Sequence, residues 1–203
     1  MHVIVCHTPK GGSGKSTLAR ELAVAATTAG LRAALADLDP QGTTTGWYKR
    51  RQADAPVLVR FDPVGATTDL EAAGVELLIV DTPPAAPPFV PPLLRRASLV
   101  VVPVRPTPDD LLGAAPIARG LAGHPAWAFV LSQVPPRTRH LVGSLRQLAA
   151  LGRVAPGHLS IRTDFPSAAI TGNAACETDG KAADEVRAIW SYVHNMLEGA
   201  RDE

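Results

Sequence analysis

Short apolar runs rich in Val, Ile and Leu recur along the chain, and between them the apolar positions spread out to helical spacing. Met1 to Cys6 (MHVIVC) is the first run; LRAALADLD, VLVRF, VELLIVD, SLVVVPV and WAFVLSQV follow it as strand-like segments. Residues 16–30 are alanine-rich with helical spacing. Near the end, Val186, Ile189, Trp190, Val193, Met196 and Leu197 recur at i, i+3, i+4 and i+7, which makes one apolar face of a core-packing helix. Strands alternating with helices predict an α/β fold, a mostly parallel twisted sheet with helices on both faces.

Neither an internal repeat nor a linker interrupts this pattern, so residues 1–203 read as a single domain. The one proline-rich segment, Thr82 to Pro92 (TPPAAPPFVPP), is expected to be a stiff loop between a strand and the next helix rather than a ligand for proline-recognising modules. At 203 residues and 46% hydrophobic, the chain can bury one sizeable core. A net charge of +1 leaves no global field to draw it to nucleic acid or membrane, so any such contact needs a local patch. Cys6 and Cys176 form neither a disulfide framework nor a metal-ligand spacing and are expected to be small buried hydrophobes. MHVIVC is too short for a signal segment or a membrane span, so the chain reads as cytoplasmic.

The chemistry begins where the first strand ends, at HTPKGGSGKST, His7 to Thr17. Strand, glycine turn, helix is the context of a phosphate-binding loop. Gly11, Gly12 and Gly14 let backbone N–H groups of the loop, Ser13 included, turn inward around an anion, and the helix that follows adds its positive end. Lys15 is placed to reach β- and γ-phosphates, Ser16 to ligate Mg²⁺, and Thr17 to donate to an α-phosphate. Two features depart from the strict G-x-x-x-x-G-K-[ST] pattern: Pro9 stands where glycine is wanted, and Lys10 is an extra lysine.

Three aspartates close strands. Asp81 ends VELLIVD, at the carboxyl edge where open α/β sheets bind ligands, and can hold Mg²⁺ through water. Asp37 and Asp39 end the second strand before the Pro40-Gln41-Gly42 turn; at i, i+2 one is expected to face the metal and the other the water.

KGGSGKST, DLDPQGTTTGW, LLIVDTPP and SLVVVPVRPTPDDL, in that order, resemble the ParA/MinD superfamily of deviant Walker ATPases over nearly the whole chain, most of all the short plasmid-partition proteins of the ParF type. The resemblance implies that Lys10 is the signature lysine, which reaches across a dimer interface to the partner's ATP while Lys15 serves its own, so that hydrolysis is tied to dimerisation. It further implies that Asp39 positions the attacking water, Asp37 belongs to the metal shell and Asp81 is the Walker B carboxylate. The base contact falls to the loop Ser132 to Pro136, where Gln133 stands in for the asparagine-arginine pair of many relatives. The implied partners are a second copy of the chain on ATP binding, nonspecific DNA at the nucleoid, and a centromere-binding adaptor of the ParB or ParG kind, with no membrane.

From Leu111 to Thr163 there is no Asp or Glu, yet Arg119, Arg137, Arg139, Arg146, Arg153 and Arg162 all fall inside. Several cations on one face suffice for sequence-independent DNA binding, and Arg137, Arg139 and Arg146 are the candidates. Lys49-Arg50-Arg51 either adds to such a patch or caps a helix end. Two other classes stay open: a MinD-like positioning switch, which ordinarily needs a basic amphipathic tail where this chain has EGARDE, and an ATP-dependent ligase or iron-sulfur relative.

Overall fold

The computed structural model describes residues 1–199. Seven strands form one sheet in the order β3-β2-β4-β1-β5-β6-β7: β1 His2–Cys6, β2 Ala33–Asp37, β3 Val57–Leu58, β4 Leu77–Asp81, β5 Leu99–Val104, β6 Trp127–Val134 and β7 Val154–Ser160. Each neighbouring pair is parallel. The helices are α1 Lys15–Thr28, α2 Thr43–Tyr48, α3 Thr68–Ala72, α4 Val90–Arg96, α5 Pro108–Leu121, α6 Leu141–Ala149, α7 Asp164–Ile170 and, after a 3₁₀ turn at Ala175–Glu177, α8 Lys181–Gly199.

Side chains alternate between the two sheet faces, and both faces are buried. Ile4, Cys6, Leu77 and Ile79 belong to a core shared with α1 and α8, whereas Val3, Val5, Leu78 and Val80 belong to one shared with α4, α5 and α6. Two buried layers require the continuous apolar strands seen in the sequence. The α8 residues Val186, Ile189, Trp190, Val193 and Leu197 are buried as their spacing predicts, with Met196 packed at the edge. Cys6 and Cys176 are both free and buried, and burial pushes both thiols up, away from reactivity.

Three expectations need correction. VLVRF yields only Val57–Leu58 as strand, paired to β2 at the sheet edge. β7 is not among the expected strands, because Pro156 and Gly157 break its apolar run. Its place at the opposite edge tolerates the proline, and a Cβ on Gly157 would sit 3.1 Å from Ile189, so glycine lets α8 lie close against the strand. The proline-rich segment is a loop only as far as Phe89; Val90, Pro91 and Pro92 open α4, where a missing N–H costs nothing.

Strand order reverses at β1: the chain leaves it through α1 towards β2, and from β4 it passes through α4 to β5 on the other side. The carboxyl ends of β1, β2, β4 and β5 therefore meet at one crevice, the place where open α/β sheets bind ligands.

Candidate nucleotide site

The loop between β1 and α1 is pinned from several sides. Gly12 and Gly14 adopt φ of 69° and 92°, and a Cβ on Gly14 would lie 2.5 Å from the Ser132 hydroxyl. Only glycine fits there. Pro9 keeps its carbonyl for the Ala85 amide at 2.9 Å, which fastens the loop to the segment after β4. Gln133, itself at φ 53°, donates from Nε2 to the Gly12 carbonyl at 2.6 Å. The cavity so enclosed measures about 380 Å³ and is lined by Gly11 to Thr17, Asp39, Gln41, Thr43, Pro84 and Gln133.

Lys15 donates to the Lys10 carbonyl at 3.2 Å and is buried. Burial lowers its pKa, and the nearby Asp81 and Asp39 charges oppose that shift. Asp81 sits behind it with no exposed surface. Its Oδ2 accepts from Thr44 Oγ1 at 2.7 Å, while among the described residues Oδ1 has no hydrogen-bond partner. Burial raises this carboxyl to about 6, the neighbouring Ser16 and Thr44 hydroxyls pull it down, and the Asp37 charge adds to the rise. An orphan carboxylate oxygen beside a serine hydroxyl and a buried ammonium suits a hydrated divalent cation. Among the described residues no three His, Cys, Asp or Glu side chains converge on a metal by themselves, so water and phosphate oxygens would complete its coordination.

Asp37 and Asp81 are register partners on β2 and β4. Asp37 is held by three donors: Oδ2 accepts from the Thr45 amide at 2.7 Å and hydroxyl at 2.9 Å, and Oδ1 from the Asp39 amide at 3.1 Å. It fixes the turn that leads into α2. Asp39 accepts from the Gln41 amide at 3.0 Å and lines the cavity, half-buried.

Lys10 takes a different direction. Its ammonium lies 3.2 Å from Asp110 of α5, and with Thr8, Pro9, Asp110 and Ile117 it lines a separate groove of about 260 Å³. Asp110 is buried and also holds Arg105 at 2.9 Å and the Thr107 hydroxyl. The structure therefore divides the two lysines between two sides of one loop.

A family model of the CobQ/CobB/MinD/ParA nucleotide binding domain matches residues 4–196. The chain belongs to that family. Among curated relatives, a carboxysome distribution protein A from Gloeobacter kilaueensis is 36% identical over 116 residues, 54% of this chain and 51% of the relative. The chromosome-partitioning ATPase Soj from Thermus thermophilus is 33% identical over 138 residues, 52% and 55% of the two chains. The chain spans about half the length of the curated relatives it matches. The fold also superposes on the MinC:MinD cell division complex of Aquifex aeolicus with a TM-score of 0.78, over 96% of each chain at 12% identity.

Within this family domain the structure adds residues that the sequence did not single out. Thr44 reaches Asp81 only because α2 folds back over β4, and Arg105 lies beside the loop, 3.9 Å from where a Gly12 Cβ would stand. His7, directly before the loop, is buried against Thr82 Oγ1 at 2.9 Å; burial and then the Lys15 charge lower its pKa to about 4, so it is neutral. Of the arginines of the acid-free segment, Arg119 lies exposed on α5 and the other five separate into two groups. Arg162 is paired with Glu185 at 2.8 Å, and Arg153 donates to the Pro125 carbonyl. Arg137 and Arg139 in the β6–α6 connection and Arg146 on α6 are exposed. Among the described residues none of these three is ion-paired. In the tripeptide after α2, Arg50 donates to the Gly46 carbonyl of that helix at 2.7 Å, whereas Arg51 pairs with Glu177 at 2.7 Å, outside the helix. No helix among the described residues is long and apolar enough to cross a membrane.

Proposed function

We propose that this chain is a Mg²⁺-dependent ATPase of the DNA-partition kind: two copies join over bound ATP, hold DNA without sequence preference, and release it after hydrolysis that a centromere-binding adaptor stimulates. The observation that carries the reading is the buried, unpartnered Asp81 Oδ1 beside Ser16 and Lys15 at the mouth of the glycine loop. Magnesium, when bound, neutralises charge that builds on the phosphate oxygens during transfer. Lys15 and the loop amides hold the phosphates, Ser16 and Asp81 face the metal, and Thr17 donates at the α-phosphate. Asp39 holds the water in line for attack. Asp37 keeps the turn that carries Asp39, and Gln133 closes the base side of the loop. Lys10 acts on the partner's phosphates, so a complete site needs two chains.

Arg137, Arg139 and Arg146 form the DNA face in this reading. Their exposure and freedom from ion pairs support it, as does the similarity to a chromosome-partitioning ATPase. DNA affinity measured across a salt series, with ATP and with ADP, tests it. Wild type should bind only with ATP, and each arginine-to-glutamate variant should lower the slope of log K against log salt by about 1. ATP-dependent binding to anionic liposomes in place of DNA would shift the reading to a positioning ATPase, and binding to neither would overturn both.

A further inference from the structure

A second groove, about 470 Å³, opens on the other side of Thr17, walled by Arg20 of α1, Arg50 just after α2, and Phe165, Pro166 and Ile170 of α7. Arg20 is half-buried, lies 5.8 Å from the centre of the Trp47 ring and makes one long hydrogen bond, 3.4 Å to Thr17 Oγ1. Arg50 is held in place by the carbonyls of Gly46 and Ala169. Burial lowers the pKa of Arg20; the Glu21, Asp81 and Asp37 charges oppose that shift, and the neighbouring Arg50 charge adds to it.

Among the described residues neither is ion-paired with a carboxylate. Arg51 makes the contrast: it stacks on the same Trp47 ring at 5.2 Å, but Glu177 neutralises it. Two guanidiniums therefore share a groove with no carboxylate bonded to either, and both keep N–H donors open to a ligand. The matching ligand group is planar and negative, and a carboxylate meets a guanidinium in a two-pronged geometry. The rest of the wall is apolar, with Ile170 71% exposed, so the groove is larger and greasier than a bare anion needs.

We propose that this groove docks a partner protein segment presenting a carboxylate next to an apolar side chain. The carboxylate sits between Arg20 and Arg50, and its apolar neighbour lies on Phe165 and Ile170. The site does not depend on the ATPase reading, because none of these four residues holds nucleotide or metal in it.

A random heptapeptide display library selected on the whole chain, with counter-selection on an Arg20→Gln/Arg50→Gln variant, tests this for a partner of any sequence. The most enriched peptide, its carboxylate-to-amide version, inorganic phosphate and ATP would each be titrated while the Trp47 indole N–H is followed by NMR. Enrichment of Asp or Glu beside Leu, Ile or Phe is expected, and the amide peptide should bind at least about tenfold more weakly. Arg20→Gln alone spares the carbonyl contacts of Arg50 and serves if the double variant fails to fold; it too should weaken binding. Equal recovery on wild type and variant would overturn the proposal. So would a Trp47 shift from phosphate or ATP that matches the peptide's, since the groove would then be a small-anion site.

Discussion

The Lys10 ammonium is bound to Asp110 at 3.2 Å on the α5 flank of the glycine loop, while Lys15 lines the cavity of the loop itself. A lysine that serves a second chain must leave this contact, and the Lys10 side chain, 39% exposed, is free enough to do so. Arg105 stays behind on the same carboxylate. In the proposed dimer, Asp110 would release Lys10 without being stranded, because Arg105 keeps its contact.

Asp110→Asn should therefore ease ATP-dependent dimerisation. A partly exposed ion pair of this kind is worth about 0.2–1 kcal/mol and two would break per dimer, so the protein concentration at half-dimerisation should fall by up to roughly thirtyfold. Light scattering in an Asp39→Ala background, where ATP is bound but not turned over, reads this directly. A higher concentration requirement would show instead that Asp110 presents Lys10 to the partner.

The two lysines should separate by substitution. Lys15→Ala should lose nucleotide affinity by more than about tenfold, since its ammonium lines the phosphate cavity. Lys10→Ala should keep that affinity and lose both dimerisation and turnover. Fluorescent-nucleotide titration with light scattering on the same samples distinguishes them, and equal loss of binding in both variants would make Lys10 a second cation of its own site.

Asp81 gives a pH dependence with a definite sign. Its carboxyl is held at about 6 when folded, above the ordinary aspartate value, so the folded chain binds the extra proton. The stability penalty of ionising it is absent below about pH 4, grows as pH rises through 6 and is complete above that, at roughly 3 kcal/mol for a shift of about two units. Asp81→Asn should thus be more stable than wild type at pH 8 in urea melts, with the gap closing towards pH 4. A gap that does not change with pH would show that Asp81 is not the titrating group. The same substitution should abolish the metal dependence of nucleotide binding.

Gly14→Ala should damage the loop twice, through its left-handed backbone and through the clash with Ser132. A loss of about 1–2 kcal/mol in stability is expected from the backbone alone, together with loss of nucleotide binding. Ser132→Ala/Gly14→Ala should recover part of the stability and little of the binding, because the clash is relieved while the loop conformation stays strained. Urea melts and nucleotide titration of both variants check this.

Much of the site was legible because its signals are local. The run from Lys10 to Thr17 is contiguous and its glycines report a backbone shape; Asp37, Asp39 and Asp81 mark strand ends by their place in apolar runs; the α8 face follows from helical spacing. Strand β7 escaped because Pro156 and Gly157 hide it, and they are tolerated only through its edge position and its contact with α8.

By itself, then, the order of residues determined the alternating sheet fold, the phosphate loop and the presence of two lysines in it, since each depends on neighbours a few positions apart. Tertiary structure alone decided where those lysines go, because Asp110 is far from Lys10 along the chain and reaches it only when α5 packs against β5. The same holds for Thr44 over Asp81, for Arg51 spent on Glu177, and for Arg20 and Arg50, which share one groove and among the described residues are ion-paired to no carboxylate. Charges pair across space rather than along sequence, so which cation is neutralised and which stays available is settled by folding.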